Sequence, residues 1–204
     1  MKKILCFGDS NTYGYIPACG KRFDKDSRWP GILQKLCGSE IQIIEAGCNN
    51  RTAFCDNPDG VMQTGYKILP EFLKLKPDIV ILFIGVNDLQ FQYNPSAKEI
   101  EIGLTKIIEQ IDTKNIFIIA PPLLDENVLK NYFAFQFDKT SVEKSSLMYE
   151  IFKTIAQQEN CIFIDINQHV KVSSKDGLHF EQKDHQKIAE LIYTTMLKYI
   201  NYLP

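Results

Sequence analysis

The chain has 204 residues, a formal net charge of -2, 45% apolar residues and 24% charged residues. Such values describe one globular domain, 1–204, whose core buries about 70% of the surface the unfolded chain exposes. They provide no basic field for nucleic acid or anionic lipid, and no apolar run approaches the ~20 residues of a membrane span.

The first predicted strand is 4–7 (Ile4, Leu5, Cys6, Phe7), an unbroken apolar run of the kind buried on both faces of a sheet. It is too short for a signal-peptide core of about 7–15 residues, although Lys2 and Lys3 precede it. Gly8 ends it, and Asp9-Ser10-Asn11-Thr12 follows at once. Taken alone, that cluster reads as a strand-to-helix turn with Ser10 or Asn11 as a helix cap.

Further strands are predicted at 41–45, 78–84, 115–120 and 161–165. Helical patterns lie between them near 28–36, 60–75, 97–111 and 141–158, with a last one at 182–202. Pro70 should kink or break the second helix. Ile188, Leu191, Ile192 and Leu197 form the apolar stripe of the last, with Tyr193, Tyr199 and Tyr202 on a solvated rim. Strict alternation argues for a three-layer α/β/α fold around a five-stranded parallel sheet, doubly wound in the flavodoxin-like manner.

Three connections exceed what a compact α/β unit requires: 12–30, 49–59 and 121–140. All should leave the carboxyl edge of the sheet, where α/β proteins bind ligands. The last holds Phe133, Phe135 and Phe137 at period two. As a flap they would wall a pocket; otherwise they form a local cluster or a subunit contact, and with the terminal tyrosines they leave a homo-oligomer open.

Two more polar groups follow apolar strands. Gly85-Val86-Asn87-Asp88 comes after the third and would aim amide donors at the crevice that holds Ser10, with Gly85 permitting close backbone approach. Asp176-Gly177-Leu178-His179 comes after the fifth, spacing a carboxylate and an imidazole as an orienter–base pair. A hydroxyl, a base, a group orienting the base and donors for an oxyanion are what nucleophilic acyl transfer needs. Each piece is common alone; their order, each just past a different strand, is what carries weight.

Gly8-Asp9-Ser10, Gly85-x-Asn87-Asp88 and Asp176-x-x-His179 resemble the first, third and fifth blocks of the SGNH (GDSL) hydrolases. Glu45-Ala46-Gly47-Cys48-Asn49-Asn50-Arg51-Thr52 stands where the second block belongs. With Arg28-Trp29 and Gly47-x-x-x-Arg51-Thr52, the text is most similar to the bacterial arylesterase/acyltransferase branch. The resemblance implies Ser10 as nucleophile, His179 as general base and then acid, and Asp176 as orienter of the imidazole. It implies an oxyanion hole built from the Ser10 N–H, the Asn87 side chain and a second-block N–H, assigned to Asn50. Many members have glycine where Asn50 stands and asparagine where Glu45 stands. Asn tolerates left-handed backbone angles, so Asn50 can still present its N–H, and Gly47 becomes the packing or bend residue.

The function implied is hydrolysis of short-chain aryl, alkyl or O-acetyl sugar esters through an acyl-enzyme, without cofactor or metal. Thioesters and lysolipids would need the same machinery. Ser10-Asn11-Thr12-Tyr13-Gly14 also resembles a flavodoxin phosphate loop, which makes a flavin- or phosphate-binding module the rival from another class; a catalytically silent, self-associating protein is the second. The six cysteines show no metal spacing, which suits a reduced cytoplasmic protein, although Cys48 and Cys55 could pair. His169 and His185 read as surface or core histidines, Asp9 as a brace of its loop, Trp29 as packing under the first loop, and Arg51 as half of a structural salt bridge.

Overall fold

The computed structural model describes residues 1–200. Its centre is formed by the five apolar runs: β1 (Lys2–Gly8), β2 (Ile41–Gly47), β3 (Ile79–Phe83), β4 (Ile116–Ile119) and β5 (Ile162–Ile164). All pair in parallel, in the order β2-β1-β3-β4-β5. That is the doubly wound order that alternating strands and helices imply.

Side chains alternate along each strand, so the runs feed two cores. Leu5, Phe7, Val80, Leu82, Ile116 and Ile118 face one side, where α3 (Gly65–Leu73), α4 (Ala97–Ile108) and α5 (Lys139–Gln158) pack. Ile4, Cys6, Ile79, Ile81, Phe83, Phe117 and Ile119 face the other, under α2 (Trp29–Cys37) and α6 (Gln182–Tyr199). Helices on both faces explain why the strands read as continuous apolar runs.

Two local expectations need correction. The helical stretch 60–75 is divided at Thr64, which has extended angles (φ -104°, ψ 101°), and α3 runs through Pro70. Tertiary bonds set that boundary: the Thr52 N–H donates to the Gln63 carbonyl at 2.9 Å and the Gly65 N–H to the Thr52 carbonyl at 2.8 Å. On α6 the buried stripe is Ile188, Ala189, Ile192 and Met196, whereas Leu197 is exposed and Leu191 only partly covered. A step of 3.6 residues from Ile192 lands on Met196. Tyr199 is exposed, and Tyr202 lies outside the described residues.

Because every strand is parallel, the connections after β1 to β5 all begin at one edge. Among the described residues no helix is long and apolar enough to cross a membrane. The six cysteines, Cys48 and Cys55 included, are free thiols.

Candidate active site

At the end of β1 the chain turns directly into a single helical turn, α1 (Ser10–Tyr13). Asp9 caps it, its Oδ1 accepting the Asn11 N–H at 2.9 Å. The cap role open to Ser10 or Asn11 is thereby filled, and Asp9 braces the loop as expected. Ser10 takes the first helical position, where a backbone N–H has no intrahelical partner, and its hydroxyl is free for a tertiary one.

That partner is 169 residues away: His179 Nε2 stands 2.9 Å from Ser10 Oγ. Between β5 and α6 the chain makes a tight turn through Gly177 (φ 73°). Within it, Asp176 Oδ1 accepts the N–H groups of Leu178 and His179, each at 3.0 Å. Its Oδ2 faces His179 Nδ1 at 2.9 Å and accepts the Ala18 N–H at 3.1 Å. Burial alone would raise the Asp176 carboxyl; the bond and charge of His179 and the two turn N–H groups outweigh it and hold it below the usual carboxylate value. Ser10, His179 and Asp176 thus form one buried line, with His179 only 2% exposed.

Both long aromatic connections press on the imidazole. Tyr15 stacks against it with centroids 4.3 Å apart and planes at 27°, and Phe133 lies tilted at 5.3 Å. The period-two phenylalanines therefore part company: Phe133 walls the site, Phe135 points to solvent and Phe137 enters the core. Asn11 Nδ2 also donates to the Leu178 carbonyl at 3.3 Å, tying the serine turn to the histidine turn. No pattern in the sequence singles out Tyr15, Ala18 or Asn11 for these contacts.

Along the same carboxyl edge, past β3 and β2, lie the amides. Gly85 (φ 128°) admits the chain from β3 into a 3-10 turn, Val86–Leu89, where a side chain would be strained. Asn87 Nδ2 donates to the Arg51 carbonyl at 3.0 Å, and its Oδ1 accepts from Gln90 Nε2 at 3.2 Å. Asn50 adopts the left-handed conformation anticipated for it, at φ 59°. Its N–H has no partner among the described hydrogen bonds, while its carbonyl accepts Asn57 Nδ2 at 2.6 Å. Gly47 is the packing residue, since a Cβ there would sit 2.2 Å from the Tyr13 nitrogen.

Arg51 is structural but not through a salt bridge. Its guanidinium donates to the carbonyls of Met62, Gly8 and Ala46 at 2.9, 3.0 and 2.5 Å and lies 4.8 Å over the Phe7 ring. Backbone carbonyls around a buried cation do here what a carboxylate was expected to do. Glu45, the other departure from the family pattern, accepts from Arg22 at 3.1 Å and Arg28 at 2.6 Å, stapling the 12–30 connection to β2. Asp88 has a role that the reading of the motif missed: its carboxylate accepts the N–H groups of Ala53, Phe54 and Cys55 at 2.6, 3.0 and 2.8 Å. Burial pushes it up to about 6 despite those bonds.

The remaining candidates fall outside the crevice. Trp29 is fully buried against Phe83. His185 is a core residue whose Nδ1 accepts the Trp29 N–H at 3.4 Å, and burial lowers its pKa to about 3. His169 is exposed.

A parallel α/β sheet carrying this serine, histidine and amide set along its carboxyl edge is the arrangement of an esterase or acylhydrolase. A family model described as GDSL-like Lipase/Acylhydrolase matches residues 6–187, and the chain belongs to that family. No curated protein sequence matches it. Among solved structures, a carbohydrate acetylesterase from Sinorhizobium meliloti, Est24, is similar at 25% identity and TM-score 0.86, covering 97% of this chain and 99% of that one. A carbohydrate acetylesterase family member from the same organism reaches 26% identity and TM-score 0.87, covering 98% and 100%. The aryl esterase of M. smegmatis shares the fold at 24% identity and TM-score 0.87, covering 98% and 100%.

Proposed function

We propose that this chain is a single-domain, cytoplasmic serine esterase that hydrolyses short-chain carboxylic esters, with aryl, alkyl or O-acetyl sugar alcohols as leaving groups. The observation that carries the reading is the unbroken line from Ser10 Oγ through His179 to Asp176, 2.9 Å at each step. Ser10 attacks the ester carbonyl while His179 Nε2 takes its proton. Asp176 holds the imidazole in the tautomer that leaves Nε2 free to accept and steadies the imidazolium that forms.

The tetrahedral oxyanion is received by the N–H of Ser10, the N–H of Asn50 and the Asn87 amide, each donor worth about 3 kcal/mol in such holes. Collapse expels the alcohol with the proton from His179, and water repeats the cycle on the acyl-enzyme. The engagement of Ser10 Oγ by His179 favours this reading over a phosphate-binding module. The acetylesterase and aryl esterase likenesses support the substrate range, and six free thiols suit a reducing compartment.

Ser10→Ala should abolish turnover of a short aryl ester and labelling by a serine-reactive phosphonate, with circular dichroism unchanged. Turnover at the wild-type rate in that variant would end the proposal.

A further inference from the structure

We infer that Gln90 is a positioning residue that sets two parts of the oxyanion hole, the Asn50 backbone N–H and the Asn87 side-chain amide, in one geometry; this rests on the esterase reading above. Gln90 is 1% exposed, and its amide is fully used. Its Oε1 accepts Gln92 Nε2 at 3.1 Å, which leaves both Nε2 hydrogens as donors. One goes to Asn50 Oδ1 at 2.8 Å and the other to Asn87 Oδ1 at 3.2 Å. A single side chain therefore spans the connection after β2 and the turn after β3.

The consequence for Asn87 is orientational. An asparagine amide can be turned end for end at little steric cost, and only its hydrogen bonds decide which end faces a ligand. Here Gln90 claims the oxygen and the Arg51 carbonyl claims one hydrogen of Nδ2, so the second N–H is the group left to receive developing charge. The consequence for Asn50 is conformational. Its left-handed backbone is held at three points: Gln90 on Oδ1, Asp59 Oδ2 on Nδ2 at 2.5 Å, and Asn57 on the carbonyl. Where glycine would reach the same backbone angle with no side chain, this chain uses the asparagine side chain itself as a tether.

The test compares Gln90→Leu, which removes the donors, with Gln90→Glu, which keeps the shape but offers only acceptors. The ionised carboxylate of the second variant would draw the Asn87 Nδ2 toward itself and turn the Asn87 oxygen to the crevice. On a short aryl ester, Gln90→Leu should lower kcat at least tenfold and Gln90→Glu further, with KM within about twofold of wild type. In an Asn87→Ala background both losses should shrink to the part that acts through Asn50, because the Asn87 amide is no longer there to orient. A merely structural role would lower the melting temperature and leave the kcat loss independent of Asn87.

The inference is overturned if folded Gln90 variants retain kcat within twofold, or if their losses add in full to that of Asn87→Ala. Should neither variant fold, Asn50→Gly takes their place: it keeps the N–H and the left-handed angle and deletes only the tether. A severalfold fall in kcat at constant KM supports the coupling, and an unchanged kcat refutes it. Ser10→Ala run alongside separates the cases: if that variant turns over, the esterase reading has failed; if it is dead while Gln90 variants are normal, only the present inference has.

Discussion

The two halves of the crevice are built differently. The half proposed to handle the proton is a line, Ser10 to His179 to Asp176, in which each side chain meets the next once. The half proposed to receive the oxyanion is a mesh. Asp88 gathers three backbone N–H groups, Arg51 three carbonyls, and Gln90 two amides. A line fails completely when one member is lost. A mesh degrades by degrees, because each donor is held from several directions.

That contrast orders the expected effects. After Ser10→Ala, Asp176→Asn should be the most damaging substitution. It keeps the shape but favours the wrong imidazole tautomer, and kcat should fall by about 10⁴, as in a well-characterised triad. A loss under tenfold in steady-state kinetics would show that the line tolerates a broken member.

Asn87→Ala should cost about 10²–10³ in kcat, the usual toll of one oxyanion donor. If it matched Asp176→Asn, the distinction between line and mesh would disappear.

Asp88→Ala strands three N–H groups, two of them on the part-buried Phe54 and Cys55. Unmet buried donors cost about 1–3 kcal/mol each, so thermal melting should drop by several degrees with a lesser effect on kcat. An unchanged melting temperature would mean that the 53–55 segment is held by something else.

The remaining effect is a pH dependence of stability. Burial, chiefly, pushes Asp9 up to about 7 from an ordinary 3.8; the Asn11 N–H opposes this and the charge of Asp88 reinforces it. A raised folded value means that the folded protein holds this proton more tightly than the unfolded chain. The stability linked to it is complete below about pH 4 and drains away as pH rises to 7. Asp9→Asn keeps the cap acceptor and has no such proton, so its stability relative to wild type should improve between pH 5 and pH 8. Denaturant midpoints that keep a constant gap would contradict this.

The same contrast explains what was legible in the sequence. The line could be read because its pieces come in order after different apolar strand runs, in blocks that resemble a known family, and because the chain has only 3 histidines. Asn50 was legible as well, through its tolerance of positive φ. The mesh was not, since Arg51, Asp88 and Gln90 act on backbone groups and amides that only the folded chain brings near. A buried arginine on carbonyls and an arginine in an ion pair look identical in one dimension. The flavodoxin-like sheet order was readable from alternation with right-handed crossovers, whereas the break at Thr64 was set by bonds to Thr52 and could not be assigned to Pro70 or elsewhere in advance.

The separation of Ser10 and His179 along the polypeptide also has a temporal meaning. The pair closes a loop of 169 residues, so the hydroxyl stays inert until the chain from β1 through the turn before α6 has been brought together. Esterase activity should therefore appear late in refolding, after the burial of Trp29 reports the sheet and its α2 cover, because the imidazole docks only when the last β-to-α crossing is in place. In such an enzyme the onset of turnover is a clock for the completion of folding.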